Sequence, residues 1–335
     1  MTEYDLNDVD RVHSVLADAE RPKQKKRDKR DVHGWIVLDK PVGMTSTHAV
    51  SVVKRLFRAK RCGHAGTLDP LASGALPIAL GEATKTVPFV MDGRKLYRFT
   101  IRWGEERDTD DAEGRTVSMS KERPSPEAVR ALLPSYTGLI QQIPPRYSAI
   151  KIEGERAYDL ARDGEQVELA PRPVEISRLE LVNIPDPDHA VLEAECGKGT
   201  YVRSLARDLG RTLGCFGHVS ALRRATVGPF GEETMILLEH LEALCHRAAS
   251  GEGNLADALM SVETALDDIP ALALSGEEAE ALRCGRVVTP LRPSDRARID
   301  LLGDGATIRA TSDGRLVALA AIDKGLIRPV RVMNF

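Results

Sequence analysis

Residues 63–82, GHAGTLDPLASGALPIALGE, constrain this chain more than any other segment. Gly63, Gly66, Gly74 and Gly81 alternate there with Pro70, Pro77 and small apolar residues. Glycine lets a backbone approach a neighbour or ligand closely, and proline fixes turns. One acidic residue stands directly before Pro70, namely Asp69. Read on its own, Asp69 is either an Asp-Pro turn whose carboxylate caps nearby backbone groups or a functional carboxylate in a built scaffold, and composition favours the turn.

The flanking segments are easier to read. HGWIVLDKP predicts a short strand ended by Pro41 and Gly43. Thr45, Ser46 and Thr47 offer N-caps for a following helix, in which Ala49, Val50, Val53, Leu56 and Phe57 recur at helical spacing. Lys54, Arg55, Arg58, Lys60 and Arg61 make its end basic, which suits the helix dipole or a phosphate. KLYRFTIRWG alternates as a half-buried strand, with Tyr97, Phe99, Ile101 and Trp103 on one face. GEERDTDDAEG reads as an acidic loop; Ala112 and Glu113 stand where a calcium loop needs a ligand and then glycine, so no metal is expected there. A helix is expected over 121–140 and a short one over 153–165. VEISRLELVNI and AVLEAECGKG read as strands. GKGTYVR taken alone is a plain strand-to-helix turn, and the helix after it carries Val202, Leu205, Leu209 and Leu213 on one face. Residues 233–268 read as a helical, polar join.

At 335 residues the chain is long enough for two domains at roughly 150 residues each. The formal net charge is only -3, so a polyanionic partner has to be argued from local basic clusters. Five dispersed cysteines without a CxxC pair fit neither a disulfide framework nor a zinc site, and point to a reducing cytoplasm. The acidic start lacks the features of a signal peptide, and no apolar run approaches the roughly 18 residues that span a bilayer. No phosphate loop, GxGxxG, HExxH or GxSxG is present, which weighs against NTPases, nicotinamide enzymes, zinc proteases and α/β-hydrolases.

The two ends differ from the middle. Residues 1–20 are acidic and 21–30, RPKQKKRDKR, are basic; residues 1–31 are expected to be a disordered charged arm, its basic half either a solvated tail or a phosphate-binding arm. GATIRATS, RLVALAAI and LIRPVRV read as three strands, joined by Asp313-Gly314 and by Asp323-Lys324-Gly325. They predict a small separate β module.

Taken together, HGWIVLDKPVGMTSTHAV, RCGHAGTLDPLASGALPIALGEATKT, KLYRFTIRWG, QQIPPRYSAIKIEGERAYDLARDGE, CGKGTYVRSLARDLG and GHVSALRRATVGPF resemble the TruB-type bacterial tRNA pseudouridine-55 synthases. The motifs are collinear over roughly residues 32–230. The resemblance implies an α+β pseudouridine synthase fold: a mixed, largely antiparallel sheet with a central cleft, in a catalytic domain over 32–265. A PUA-like RNA-binding β domain would follow over 266–335. It places the family's catalytic aspartate on Asp69, its active-site tyrosine on Tyr97 and its arginine on Arg203. His64, Tyr201 and Leu222 fall on substrate-binding positions, and Lys40-Pro41 matches a supporting pair. The chain departs from the family's usual Thr-Asp-Thr with Arg107-Asp108-Thr109, so altered loop contacts are expected there.

By the same resemblance, uridine 55 in the T stem-loop of tRNA is the substrate and no cofactor or metal takes part; a cytoplasmic monomer without membrane attachment is expected. Asp69 would act as nucleophile or base, held ionised by Arg203. Tyr97 would stack on the extruded base and assist removal of the C5 proton, His64 would fill the vacated gap, and Tyr201 and Leu222 would line the pocket. Arg55, Arg58, Lys60, Arg61, Lys151, Arg223 and Arg224 are candidates for phosphate contact, each equally readable as a solvated charge. A tRNA-folding chaperone role could accompany the chemistry.

Overall fold

The computed structural model describes residues 28–148, 151–152, 155–156, 169–290 and 292–335. Strand β1 (Gly34–Lys40) is buried along nearly its whole length, because it runs through the middle of a sheet covered on both faces. Ile36 and Leu38 enter one core and Trp35 and Val37 the other. Helix α1 (Ser46–Phe57) follows. Thr45 is its cap, accepting from His48 N, and the helix ends where Arg58 turns left-handed at φ 55°. Strands β2 (Cys62–His64) and β3 (Ala72–Leu80) then flank the loop that carries Asp69.

The expected strand over KLYRFTIRWG is β4 (Lys95–Trp103), with Phe99, Ile101 and Trp103 buried as the alternation requires. Three expectations need correction. The acidic loop is partly ordered as a hairpin, β5 (Glu105–Arg107) with β6 (Thr116–Met119). The helix expected over 121–140 is confined to α2 (Pro126–Leu132), and Gly138–Gln142 form strand β7. Of the helix expected over 153–165, Glu155 and Arg156 are extended and pair with Lys151 and Ile152; the rest lies outside the described residues, as do residues 1–27 of the arm.

Strands β8 (Arg172–Asp186) and β9 (His189–Cys196), helix α3 (Val202–Thr212) and strand β10 (Gly217–Val227) complete the body as the pattern predicts. The stretch over 233–268 is not a polar join. Its first residues form β11 (Met235–Leu237), which pairs in parallel with β1. Helix α4 (Leu238–Ala249) buries Leu241, and Val262, Ala265 and Leu266 are buried against the sheet. The main sheet has nine strands, ordered β11-β1-β3-β10-β4-β9-β8-β7 with β2 also on β3. Among the described residues only the β1/β11 and β3/β10 strand pairs of this sheet are parallel, so it is mixed and largely antiparallel.

The centre of this sheet runs through the glycine- and proline-rich stretch. One edge of β3 pairs with β1 throughout; the other pairs with β10 at its start and β2 at its end. Pro77 sits at the switch between those two partners. Its carbonyl accepts from Ala65 N, so the amide it lacks would point into the same gap, where no ladder bond is lost. Gly74 (φ +98°) passes so close to β10 that a Cβ there would collide with the Arg224 carbonyl oxygen.

The C-terminal strands β12 (Ala271–Ala273), β13 (Thr307–Ser312), β14 (Arg315–Asp323) and β15 (Leu326–Val332) form a separate sheet in that order. Helices α5 (Gly276–Arg283) and α6 (Pro293–Leu302) pack on it around a core of its own. It is also fastened to the body. Lys85 Nζ donates to the Val332 carbonyl and to Glu82, and Glu82 accepts from Asn334 N. Leu316, Leu319 and Met333 join the core beneath Trp35.

Candidate active site

The Asp69 loop is held by its backbone. Ser46, at the first turn of α1, donates its hydroxyl to the Leu68 carbonyl and accepts from Leu68 N, both at 2.9 Å. Gly43 N reaches the Pro70 carbonyl at 2.8 Å, and Ala72 N reaches that of Asp69 at 3.0 Å. Behind the loop Lys40 is wholly buried and donates to the carbonyls of Met44 (2.7 Å), Pro41 (2.9 Å) and Pro70 (3.4 Å). With the main chain fixed on both sides, the Asp69 carboxylate projects into a cleft of about 310 Å³, together with Asp111, Glu113, Tyr147 and Arg203.

Arg203, in the first turn of α3, is the buried cation of this cleft, which exposed Arg115 also lines. Its Nε lies 2.9 Å from Asp69 Oδ2 and 3.6 Å from Asp111 Oδ2. Its other nitrogens donate to the carbonyls of Thr109 (3.0 Å) and Tyr147 (2.9 Å). Two carbonyl hydrogen bonds and two carboxylate contacts thus hold a planar guanidinium that is itself buried, with its Nε turned to Asp69. The start of α3 is held in turn: Gln142 at the end of β7 accepts from Tyr201 N at 2.8 Å and donates to the Tyr201 carbonyl at 3.1 Å.

Arg203 is one rung of a ladder. Arg207 and Arg211 follow at four-residue spacing and therefore share its helix face. Arg207 pairs with Asp110 at 3.0 Å and Arg211 with Glu106 at 2.7 Å. Burial pushes the Asp110 carboxyl up to about 6, against the pull of Arg207 and Arg203. The acidic loop is therefore docked on α3, and it delivers Asp111 to Arg203. Sequence reasoning missed this role. The signal was the Arg-x3-Arg-x3-Arg spacing opposite a run of carboxylates. Glu113 enters the same cleft, its carboxyl raised by burial and then by the charges of Asp111 and Asp69.

Tyr97, His64, Tyr201 and Leu222 stand outside the lining of this cleft. Tyr97 on β4 is paired across the ladder with Arg224 of β10. Burial raises its phenol above the ordinary value, while the charge of Arg224 pulls the other way. Asp69 lies within electrostatic reach of both Tyr97 and Tyr201. His64 Nδ1 is buried without a hydrogen-bond partner among the described residues, and burial, helped by Arg224, disfavours its protonation. Leu222 is buried between Phe99 and Ala72 on neighbouring strands.

Two of the candidate phosphate contacts are withdrawn from solvent partners. Arg224 is 1% exposed. Arg223 makes a bidentate pair with Asp39 at 2.9 and 3.0 Å and a third contact to Glu232. Lys60 pairs with Asp31, while Arg55 and Arg61 stay exposed. The side chain of Lys151 lies outside the described residues.

Lys40 provides a test of the site's electrostatics. Burial pushes its ammonium down to about 8, although Asp69 and Glu113 favour the charged form. Between about 8 and the ordinary 10.5 the unfolded chain holds this proton and the folded chain does not. Stability from this group is therefore complete above 10.5 and is lost as pH falls through 8. From pH 8 to 9.5, the unfolding free energy of the unaltered chain should gain about 1–2 kcal/mol relative to Lys40→Met. A difference that stays flat in denaturant titrations across this range would contradict the assignment.

The chain is similar to known proteins in sequence and in fold. Residues 54–202 match the TruB family pseudouridylate synthase N-terminal domain, and 203–267 match the tRNA pseudouridylate synthase B C-terminal domain. A protein of Nitrobacter winogradskyi named tRNA pseudouridine synthase B is 69% identical over 311 residues, covering 93% of this chain and 85% of the relative. One of the same name from Brucella ovis is 53% identical, covering 92% and 98%. Among solved structures, a Cbf5-Nop10-Gar1 complex contains a chain alike in fold, with TM-score 0.69 at 24% identity, covering 90% of this chain and 84% of that one. An H/ACA RNP bound to a substrate RNA containing 2'-deoxyuridine contains another, with TM-score 0.68 at 22% identity, covering 90% and 85%.

Proposed function

The chain belongs to the TruB family of pseudouridylate synthases, and from that premise we propose that it converts uridine 55 in the T loop of tRNA to pseudouridine, with Asp69 as the acting carboxylate. It is a tRNA pseudouridine synthase, as its relatives are named. The observation that carries the assignment of Asp69 is its pairing with Arg203 at 2.9 Å, on a pinned loop at the edge of a cleft.

The reaction is an isomerisation. The N1–C1′ bond breaks, the uracil turns, a C5–C1′ bond forms, and the proton leaving C5 is balanced by one arriving at N1. Asp69 serves as nucleophile or as base on the ribose, its charge and direction held by Arg203. A stacked, paired uridine must first leave the tRNA elbow. Tyr97 then stacks on the extruded base, an interaction of about 1–3 kcal/mol. His64 takes the space it leaves, and Tyr201 and Leu222 close the pocket walls.

Recognition of the T stem-loop rests on shape and phosphates. Exposed Arg55 in the last turn of α1, half-buried Arg58 at its C-cap and exposed Arg61 beyond it are the remaining basic candidates near the body's surface. The sheet over 271–332 is assigned as a PUA-like RNA-binding module, 32–265 as the catalytic domain and 1–31 as a charged arm. The protein acts as a cytoplasmic monomer. No helix among the described residues is long and apolar enough to cross a membrane. Incubated with unmodified tRNA and followed by mass mapping, the enzyme should place pseudouridine at position 55 without a guide RNA. Modification elsewhere, or only with a guide, would refute the assigned position.

A further inference from the structure

We propose that Arg224 is a positioning residue, which clamps the two flanks of the Asp69 loop beside Tyr97, its partner across the ladder; this rests on the reading of Asp69 and Tyr97 above. Arg224 is among the largest fully buried side chains of the protein. Its Nε donates to the Ala75 carbonyl at 2.8 Å, and its Nη2 donates to the Gly66 carbonyl at 3.1 Å. Those two carbonyls bracket Asp69, one before it and one after. A single planar fork therefore sets the span of the loop.

The backbone of the same residue does related work. Arg224 pairs with Gly74 on one side and with Tyr97 on the other. Gly74 comes so close to its carbonyl that no Cβ fits between them. Arg224 thus touches the loop's exit by backbone and by side chain, while its positive charge acts on the Tyr97 phenol across the ladder.

Packing alone does not account for such a residue. Among the described residues Arg224 has hydrogen bonds to carbonyls but no ion pair with a carboxylate. A buried guanidinium without a counter-charge is costly, and an apolar side chain of the same volume would fill the space at less expense. Its field reaches groups around the site: it disfavours protonation of His64 and opposes the effect of burial on Tyr97. A fixed positive charge behind Tyr97 favours negative charge on the phenol or on a base stacked against it. Lysine could supply the charge but not the fork, because one ammonium cannot span Gly66 and Ala75 as a planar guanidinium does.

The test uses Arg224→Lys and Arg224→Met in the full chain, beside the unaltered enzyme and Asp69→Asn. Single-turnover rates on unmodified tRNA are measured with tRNA affinity by filter binding. The Tyr97 hydroxyl is titrated by ¹⁹F NMR after placing 3-fluorotyrosine at position 97. Arg224→Lys should fold, bind tRNA within about threefold, and lose about 10²-fold in rate, the scale of a misplaced catalytic group. Arg224→Met, where it folds, should lose at least as much, and the Tyr97 titration should move upward in it. A role in folding alone would move neither the rate of the folded Arg224→Lys enzyme nor the Tyr97 titration. Arg224→Lys turning over within threefold of the unaltered enzyme overturns the proposal, as does a Tyr97 titration unchanged in Arg224→Met. Should the unaltered enzyme fail to modify tRNA, the proposed function fails instead, and the Tyr97 titration, which needs no turnover, still tests the clamp.

Discussion

Asp69→Asn is expected to abolish pseudouridine formation, lowering the single-turnover rate by roughly 10⁴-fold or more, as removal of an acting nucleophile or base does elsewhere. The substitution is close to isosteric, so what it removes is the charge and the nucleophilic oxygen. Loop geometry should survive. The contacts that shape the loop run through the backbone at Leu68, Pro70 and Ala72 and do not involve the Asp69 carboxylate. Arg203 also keeps Asp111 at 3.6 Å and two carbonyl acceptors, so it is not stranded. Binding of tRNA should therefore change by less than about threefold, since phosphate contacts that carry affinity lie elsewhere. Tritium release from 5-³H-uridine tRNA and filter binding, measured on one preparation, separate the two effects. Turnover within tenfold of the unaltered enzyme would remove Asp69 from the chemistry. The same variant tests whether a tRNA-folding chaperone role accompanies the chemistry: such a role predicts that it still refolds a misfolded tRNA elbow.

How the site was legible depends on which interaction is asked about. The alternation of β4 and the caps of α1 are local, and local pattern predicts them. So are the hairpins at Asp313-Gly314 and Lys324-Gly325, where Asp313 (φ 50°) and Lys324 (φ 51°) adopt the left-handed conformation that such turns need. Strand β3 was not legible as a buried central strand. Gly74 and Pro77 argue against one by propensity, and both are tolerated for reasons set by other strands: Gly74 by the approach of β10, Pro77 by the change of partner from β10 to β2.

Contacts across the chain were less accessible still. Asp69 and Arg203 meet through the loop after β2 and the first turn of α3, and no local spacing encodes that. Only the resemblance put them in one site. The Arg207–Asp110 and Arg211–Glu106 pairs had a helical signal on one side, the four-residue spacing, but nothing on the acidic side beyond a run of charge that reads equally as a solvated loop. Arg224 was misjudged for a related reason. Its neighbour Arg223 is engaged by Asp39 and Glu232, whereas Arg224 points to the opposite face of β10 and is buried, a difference that strand alternation implies only once β10 is known to be central.

Arg203→Met should be the most damaging single change to the cleft as a structure. Arg203 is buried, pairs with two carboxylates and donates to two carbonyls, so its loss leaves Asp69 and Asp111 facing each other, with Glu113 nearby, and leaves the Thr109 and Tyr147 carbonyls without this donor. Breaking a buried ion pair from one side costs about 3–5 kcal/mol. Asp69 is 35% exposed, and water compensates part of that, so a loss of about 2–4 kcal/mol in denaturant unfolding is expected. Activity should fall by about 10³-fold even at temperatures where the variant is folded, because the carboxylate loses the group that aims it. Arg203→Lys should fall between, since an ammonium restores charge but cannot meet Asp69 and both carbonyls in one plane. A double-mutant cycle with Asp111→Asn separates repulsion from lost hydrogen bonding. If like-charge repulsion dominates, Arg203→Met with Asp111→Asn should be more stable than the sum of the single changes predicts, by about 1–2 kcal/mol. Strict additivity would mean that Asp111 and Arg203 are not coupled, and that the acidic loop does not help hold the arginine that orients Asp69.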